Sequence, residues 1–536
     1  MKQVHILKML VMGGAIVLLG GLSGFSPPSG DTRSTSSSLI QLGAIQPAYA
    51  PGSSFISLPL VFEDYAPSTP VFEISLPLVF KGYAPHPPVF EIYLPLVLNG
   101  KPPQTVFGIQ MDSVTVGGGL SQVAEANASW IGGIGVSWAD VEPSPGARNW
   151  SALDPQATQM KDVAGKGLTP IVNARITPDW AQLYPGCACG PMKQEYFDEF
   201  AAFMHDLVAR YSVPPYNVKY WEIWNEPDID HSLVPEDIGY GCWGDQGDPF
   251  YGGGYYAEML KVVYPQIKAA DPQAQVLVGG LLLDCDPRPG AGCATLGKSN
   301  LPPKFLEGIL INNGGSFFDG VSFHAYDGYQ GQLGQYGNPN WESAWNTTGP
   351  VIIAKAQFIQ SLLSQYGVSG KYLINTESAI HCGKVNDPPG QYPCESISTS
   401  PLEQTKAYYV AQTYAAAIAK GLRANLWYSM LGWRNSGLLN PDLSPRPAYT
   451  AIQFARNELR DAALVREITE YAGVKGYEFN RGDRRIWLLW SQDGISHPIT
   501  ISPAPLVACD TQGLCSTYPS LPLLVTLNPV YLEFNP

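Results

Sequence analysis

Two glutamates stand where a short apolar run gives way to a turn. The first lies in VKYWEIWNEPDID (218–230), where a β-like run Lys219–Ile223 is followed by Trp224-Asn225-Glu226-Pro227. A proline cannot donate to a strand ladder and fixes its own φ, so the chain must leave the strand directly after Glu226. The second lies in KYLINTESAIHCG (371–383), where the run Tyr372–Ile374 ends in Asn375-Thr376-Glu377-Ser378. A third run, FFDGVSFHAYDGY (317–329), closes on His324 and Tyr326, either of which can hydrogen-bond a carboxylate or a ligand hydroxyl. A pair of carboxyl groups at strand ends suits proton transfer and nucleophilic attack, provided that a fold brings the two together.

The elements around these runs supply such a fold. From residue 105, β-rich runs alternate with amphipathic ones. The expected strands are Val106–Gln110, Ile131–Ser137, Thr169–Ala174, Lys219–Ile223, Gln275–Gly279, Gly320–His324, Tyr372–Asn375 and Asn425–Tyr428. Between them, KQEYFDEFAAFMHDLVARY (193–211) places Phe197, Phe200, Phe203, Met204 and Leu207 on one helical face, and 255–270, 351–366 and 405–421 repeat that spacing. Eight strand–helix units predict an α/β protein, a (β/α)8 barrel over 105–460, ahead of a doubly wound sheet or two smaller α/β domains. In such a barrel residues just after a strand line the C-terminal mouth, which is where Glu226 and Glu377 fall, on strands four and seven.

The flanks differ in kind. Residues 1–24 carry two lysines ahead of an apolar run from Met9 to Leu22, the pattern of a secretory signal; the run is short for a membrane span. Residues 25–104 are Pro-rich and hold a repeat whose Leu-Pro-Leu-Val core begins at Leu58, Leu76 and Leu94, read as a spacer or surface tether. Residues 461–536 read as a small β-sandwich-like domain built from runs such as Arg485–Trp490 and Leu523–Leu527. Of nine cysteines, Cys285/Cys293, Cys382/Cys394 and Cys509/Cys515 form close pairs, and Cys187, Cys189 and Cys242 a further group. In an exported chain these suggest disulfides that staple loops. Cys187-Ala188-Cys189 lacks the spacing of a zinc site, so neither a metal nor another cofactor is expected.

Composition narrows the partners. The chain has 536 residues with 32 Lys plus Arg against 46 Asp plus Glu, a formal charge of −14 that argues against nucleic acid. Charged residues are only 15% and aromatics 11%, which suits an extracellular protein with a neutral, ring-shaped ligand.

WEIWNEPD on a fourth strand and INTES on a seventh resemble clan A of the glycoside hydrolases, closest in look to families 39 and 5. GVSWADVEPSPGARNW (135–150), PIVNARITPDWA (170–181) and GLLNPDLSPRPAYTAIQFARNEL (437–459) resemble further stretches of that clan, so that the likeness spans about 105–460. The resemblance implies a (β/α)8 barrel and retaining hydrolysis of β-glycosides of poly- or oligosaccharides. It assigns the acid/base to Glu226, the sugar 2-hydroxyl contact to Asn225 and the nucleophile to Glu377. The clan's aromatic position on strand six falls on His324 and Tyr326. One departure stands out: relatives often carry an arginine on strand two, where this chain has Trp130-Ile131-Gly132-Gly133. Another group must then serve the nucleophile, with His324 and Tyr326 the candidates.

Trp138, Trp180, Trp224, Trp427 and Trp433 fall at or beyond strand ends, where indoles can stack on the C–H faces of sugars; Trp427 and Trp433 are the leading candidates. The expectation is a secreted, monomeric enzyme whose partner is carbohydrate, with cell-surface association through the repeats. The alternative is a catalytically inactive barrel that binds carbohydrate at a surface.

Overall fold

The computed structural model describes residues 105–536 apart from 230–240, 385–391, 396–398, 483, 518–521 and 536. Before Thr105 it describes only the strand segments Ile6–Met12, Ala15–Leu19, Phe55–Leu60, Phe72–Pro77 and Leu94–Pro95. Half of the expected export signal and most of the linker therefore lie outside the described residues. Within the repeats, Phe55–Leu60 pairs antiparallel with Phe72–Pro77.

Eight parallel strands close into a barrel: β1 (Phe107–Gln110), β2 (Trp130–Ser137), β3 (Thr169–Arg175), β4 (Tyr220–Asn225), β5 (Gln275–Leu281), β6 (Gly320–Tyr329), β7 (Tyr372–His381) and β8 (Ala424–Tyr428). Neighbours run β5-β4-β3-β2-β1-β8-β7-β6, and β5 pairs with β6 to complete the ring. The main helices between and after the strands are α1 (Leu120–Glu125), α2 (Asp154–Gly165), α3 (Phe197–Tyr211), α4 (Gly253–Ala270), α5 (Phe305–Ile311), α6 (Ile352–Gln365), α7 (Ser400–Ala419) and α8 (Pro447–Leu459). The (β/α)8 barrel read from the alternation is thus the fold. The α3 face buries Phe197, Phe200, Phe203, Met204 and Leu207, each by about 1.5–3 kcal/mol relative to exposure.

Side chains fill the barrel unevenly along its axis. Trp130, Ile171, Tyr220, Leu277, Ile374 and Leu426 form one cluster toward the strands' N-terminal halves and plug that end. The C-terminal end is left for polar residues. Two strands outrun their sequence signal: β6 continues five residues past His324 and β7 six past Asn375, and they pair as far as Gly328 opposite His381. His324 and Tyr326 therefore lie within a strand rather than at its close, and Glu377 within a strand rather than just after it. A register shift at Phe323/His324 leaves Thr376 without an opposite number and sets His324 against Glu377. Such a bulge re-aims the side chains that follow it.

After α8 the chain forms a six-stranded antiparallel sheet and a two-stranded one. In the strand Arg484–Ser491 the period is two: Ile486, Leu488 and Trp490 join the barrel's core, while Trp487 and Leu489 face a second core with Ile499, Leu523 and Val525. Four cysteine pairs stand at disulfide distance: Cys189–Cys242, Cys285–Cys293, Cys382–Cys394 and Cys509–Cys515. Cys187 Sγ lies 3.2 Å from Cys242 Sγ. Among the described residues no helix is long and apolar enough to cross a membrane.

Candidate active site

The end of β4 is bent by its own backbone. Trp224 and Glu226 both have positive φ, 72° and 46°, a region that costs a non-glycine residue roughly 1–3 kcal/mol and recurs at functional sites. The surroundings hold the bend. Trp224 is fully buried and its indole donates to Cys189 O at 2.7 Å; Glu226 N donates to Gly280 O at 2.9 Å. Asp228 accepts from Leu282 N and Leu283 N at 2.9 and 2.7 Å, and burial pushes its carboxyl up to about 6. Two glycines of β5 make the bend possible. A Cβ on Gly279 would lie 2.4 Å from Ile223 O, and one on Gly280 would lie 2.3 Å from His324 Nε2.

His324 joins the two glutamates. It is fully buried, its Nδ1 is 2.8 Å from Glu226 Oε1 and 3.5 Å from Glu377 Oε2. A carboxylate oxygen of each glutamate and a ring nitrogen of His324 all fall within 4.8 Å of one another. Burial pulls the imidazole pKa down, but the charges of Glu377, Glu226 and Glu222 and the bond to Glu226 outweigh it and push it up to about 9. At neutral pH His324 is thus an imidazolium between two acids. Tyr326 donates its hydroxyl to Glu377 Oε2. Burial raises Glu377 above the ordinary carboxylate range, the His324 charge opposes this, and the Glu226 charge adds to it.

A third acid lies below the pair. Glu222 accepts from Asn173 Nδ2 and Thr376 Oγ1, both at 3.1 Å. Arg175, the last residue of β3, completes the charge balance. Burial lowers its pKa, against the charges of Glu377, Glu222 and Glu226, of which Glu377 acts most strongly. Its guanidinium crosses Gly135 of β2, where a Cβ would come within 3.3 Å of it. A buried arginine thus feels the charge of Glu377 from strand three, where strand two carries none. Removing it should raise the Glu377 carboxyl further, since an opposite charge favours the ionised form. If the reaction needs Glu377 ionised, Arg175→Met should move the acid limb of the kcat/KM profile to higher pH by about one unit or more. An unmoved limb in a folded variant would remove Arg175 from this role.

Above these groups opens a cavity of about 1210 Å³, whose walls include Asp112, Asn225, Tyr326, His381, Tyr428 and Trp433. The structure gathers Glu226, Glu377, Asn225, Tyr326 and Trp433 on this cavity and sets His324 beneath it. It does not bring the other tryptophans there. Trp138 is fully buried, donates to Glu142 Oε2 at 3.0 Å and lies against Trp180, Phe200 and Phe203 outside the barrel. Trp180 donates to Glu142 O at 3.0 Å and meets Tyr196. Trp427 is fully buried against Tyr409. All three lie off the cavity wall, so stacking on a ligand falls to Trp433, 41% exposed. Arg175, Glu222, Asn173, Asp112, His381 and Tyr428 were not singled out by sequence. Parity along the strands finds most of them: Asn173 precedes Arg175 by two, His381 follows Glu377 by four, and Tyr428 is the strand neighbour whose side chain must point opposite to Trp427.

Among the described residues two groups bring three potential metal ligands together: Glu226, His324 and Glu377, and Cys187, Cys189 and Cys242. In the first, His324 Nδ1 already bonds Glu226, and in the second, two of the sulfurs are paired with each other.

No protein-family model matches the chain, and no curated protein does. Solved structures do. A family 39 glycoside hydrolase from Bacteroides cellulosilyticus WH2 shares 18% identity over 90% of this chain and 88% of its own, with a TM-score of 0.60. A conserved exported protein from Bacteroides fragilis matches 80% of this chain and 98% of its own at 12% identity and TM-score 0.52. A GH30 endoxylanase from Clostridium papyrosolvens C71 matches 82% and 98% at 11% identity and TM-score 0.51. At these identities what the chain shares with them is its fold.

Proposed function

We propose that the chain is a secreted, retaining β-glycoside hydrolase acting on poly- or oligosaccharide. The observation that carries the reading is the pair Glu226 and Glu377 on the wall of one cavity, with an oxygen of one within 4.8 Å of an oxygen of the other. Retaining enzymes hold their two carboxyl groups about 5–5.5 Å apart, whereas inverting enzymes leave about 6.5–9.5 Å for a water. The shared fold agrees with this reading, and the disulfides agree with an exported chain.

The residues then divide the work. Glu226 Oε1 is occupied by the His324 N–H, which leaves Oε2 to carry a proton to the glycosidic oxygen. As that C–O bond breaks, Glu377 attacks the anomeric carbon from the opposite face and forms a glycosyl ester. The Tyr326 hydroxyl and Arg175 stabilise Glu377 as the carboxylate that must attack. Esterification removes the Glu377 charge. Glu226, still bonded to the His324 cation, is left as a carboxylate that takes a proton from water. Water attacks the anomeric carbon and Glu377 leaves. Asn225 on the cavity wall is placed to donate to the sugar 2-hydroxyl.

The test is hydrolysis of a broad panel of chromogenic β-glycosides and plant and microbial polysaccharides by the wild type and Glu226→Ala. Turnover by the wild type that the variant lacks is expected. A wild type inert across the panel, yet retained by immobilised polysaccharide, would favour the surface-binding alternative.

A further inference from the structure

The tryptophan that reaches the cavity stands on an unusual turn. Gly432, Arg434 and Asn435 have φ of 95°, 50° and 60°. Only glycine, and less readily asparagine, enters that region without strain. The carbonyls of such a turn have no ladder to join and need partners elsewhere. The partner comes from the middle of α7. Lys406 is fully buried, and its Nζ donates to Asn435 O and Gly437 O, both at 2.9 Å. Its counter-ion, Glu403, lies one turn earlier at 2.9 Å and also meets Arg446 at 3.1 Å. Burial of an ammonium is costly, and a methionine would fill the same slot in the helix face without that cost. What the methionine could not do is bind two carbonyls of the turn.

Two further contacts converge on the same turn. Asn435 Nδ2 donates to Cys394 O at 2.6 Å, inside the loop closed by Cys382–Cys394. The Trp427 indole donates to Ser436 O at 2.9 Å, so that this buried tryptophan acts as a prop. The Trp433 ring that results meets His381, Tyr326 and Tyr428 with centroids 5.4, 6.0 and 6.5 Å away, while the Arg434 guanidinium lies 4.6 Å over it.

We infer that Lys406 is a positioning residue: it sets the 432–437 turn, and through it the Trp433 wall of the cavity, without touching the ligand. The ligand's being a sugar rests on the hydrolase reading above; the hold on the turn does not. Two measurements on the full chain keep these apart. Hydrogen exchange of Lys406→Met should show the amides of 432–437 exchanging about tenfold faster, with the barrel strands unchanged. On the chromogenic glycoside that the wild type hydrolyses best, KM should rise about tenfold with kcat changed less than about threefold, since stacking is lost equally in ground and transition states. In a Trp433→Ala background, Lys406→Met should add nothing to KM, because the wall it sets is gone. Should Lys406→Met fail to fold, Lys406→Gln, which keeps donors but not the charge or length, takes its place. Unchanged exchange in the turn overturns the proposal, as does exchange raised across the barrel or an undiminished KM effect without Trp433. An inert wild type would sink the hydrolase reading, while the exchange arm would still decide the role of Lys406.

Discussion

Glu377→Gly is expected to lower kcat/KM by at least about 10,000-fold, because it removes the carboxylate proposed to attack the anomeric carbon. Glu222, a buried acid on the same cavity, is already held by its own hydrogen bonds. It is 5% exposed, and both of its oxygens are hydrogen-bonded, one to Asn173 and one to Thr376. The glycine leaves a small void beside Tyr326 and Arg175. Azide fits such a void and carries the charge that these donors are set to receive. It should restore turnover and yield the α-glycosyl azide, since attack from the nucleophile's face inverts the β-glycoside once. A Glu377→Gly variant with activity within tenfold of the wild type, or rescue that gives only the β-azide, would move the nucleophile elsewhere.

The second large effect belongs to Glu226. Loss of a general acid costs about 100- to 10,000-fold, but only where the leaving group needs a proton. Glu226→Ala should therefore be crippled on polysaccharide and far less so in the first step on a dinitrophenyl glycoside. That substrate should give a burst of phenolate followed by slow turnover, because the second step still lacks its base. Azide should lift the slow phase and give the β-glycosyl azide, the product of two inversions. With Glu226 gone, His324 keeps Glu377 Oε2 at 3.5 Å as its remaining partner in the pair. An equal loss on good and poor leaving groups, with no burst, would contradict an acid/base role for Glu226.

The parts of this site that sequence made visible are those where a local pattern and a chemical identity coincide. Glu226 is marked because a strand run, a proline stop and a carboxylate follow one another within a few residues, and Glu377 because it closes a similar run. The helical face of α3 is visible because its phenylalanines repeat at 3.6 residues. Other features depend on pairing at a distance. The extensions of β6 and β7 consist of residues such as Ala325, Gly328 and Ser378 that carry no strand signal alone and become strand by hydrogen-bonding each other. Trp138 and Trp427 have the type of residue that stacks on sugars and the position after or within a strand. Which way each points is fixed by neighbours, Phe200 and Phe203 in one case and Tyr409 in the other. The Arg175 guanidinium lies against Gly135, on a different strand, where a Cβ would crowd it. No spacing within the chain announces that clearance.

The stereochemistry of a single turnover decides whether Glu377 is the nucleophile. Proton NMR of a β-glycoside under hydrolysis by the wild type, recorded before mutarotation, distinguishes the two routes. Double displacement through Glu377 predicts that the β-anomer of the released sugar appears first and the α-anomer grows in only as the sugar equilibrates. The α-anomer appearing first would mean a single displacement by water, and would contradict a carboxylate pair held within 4.8 Å as acid/base and nucleophile.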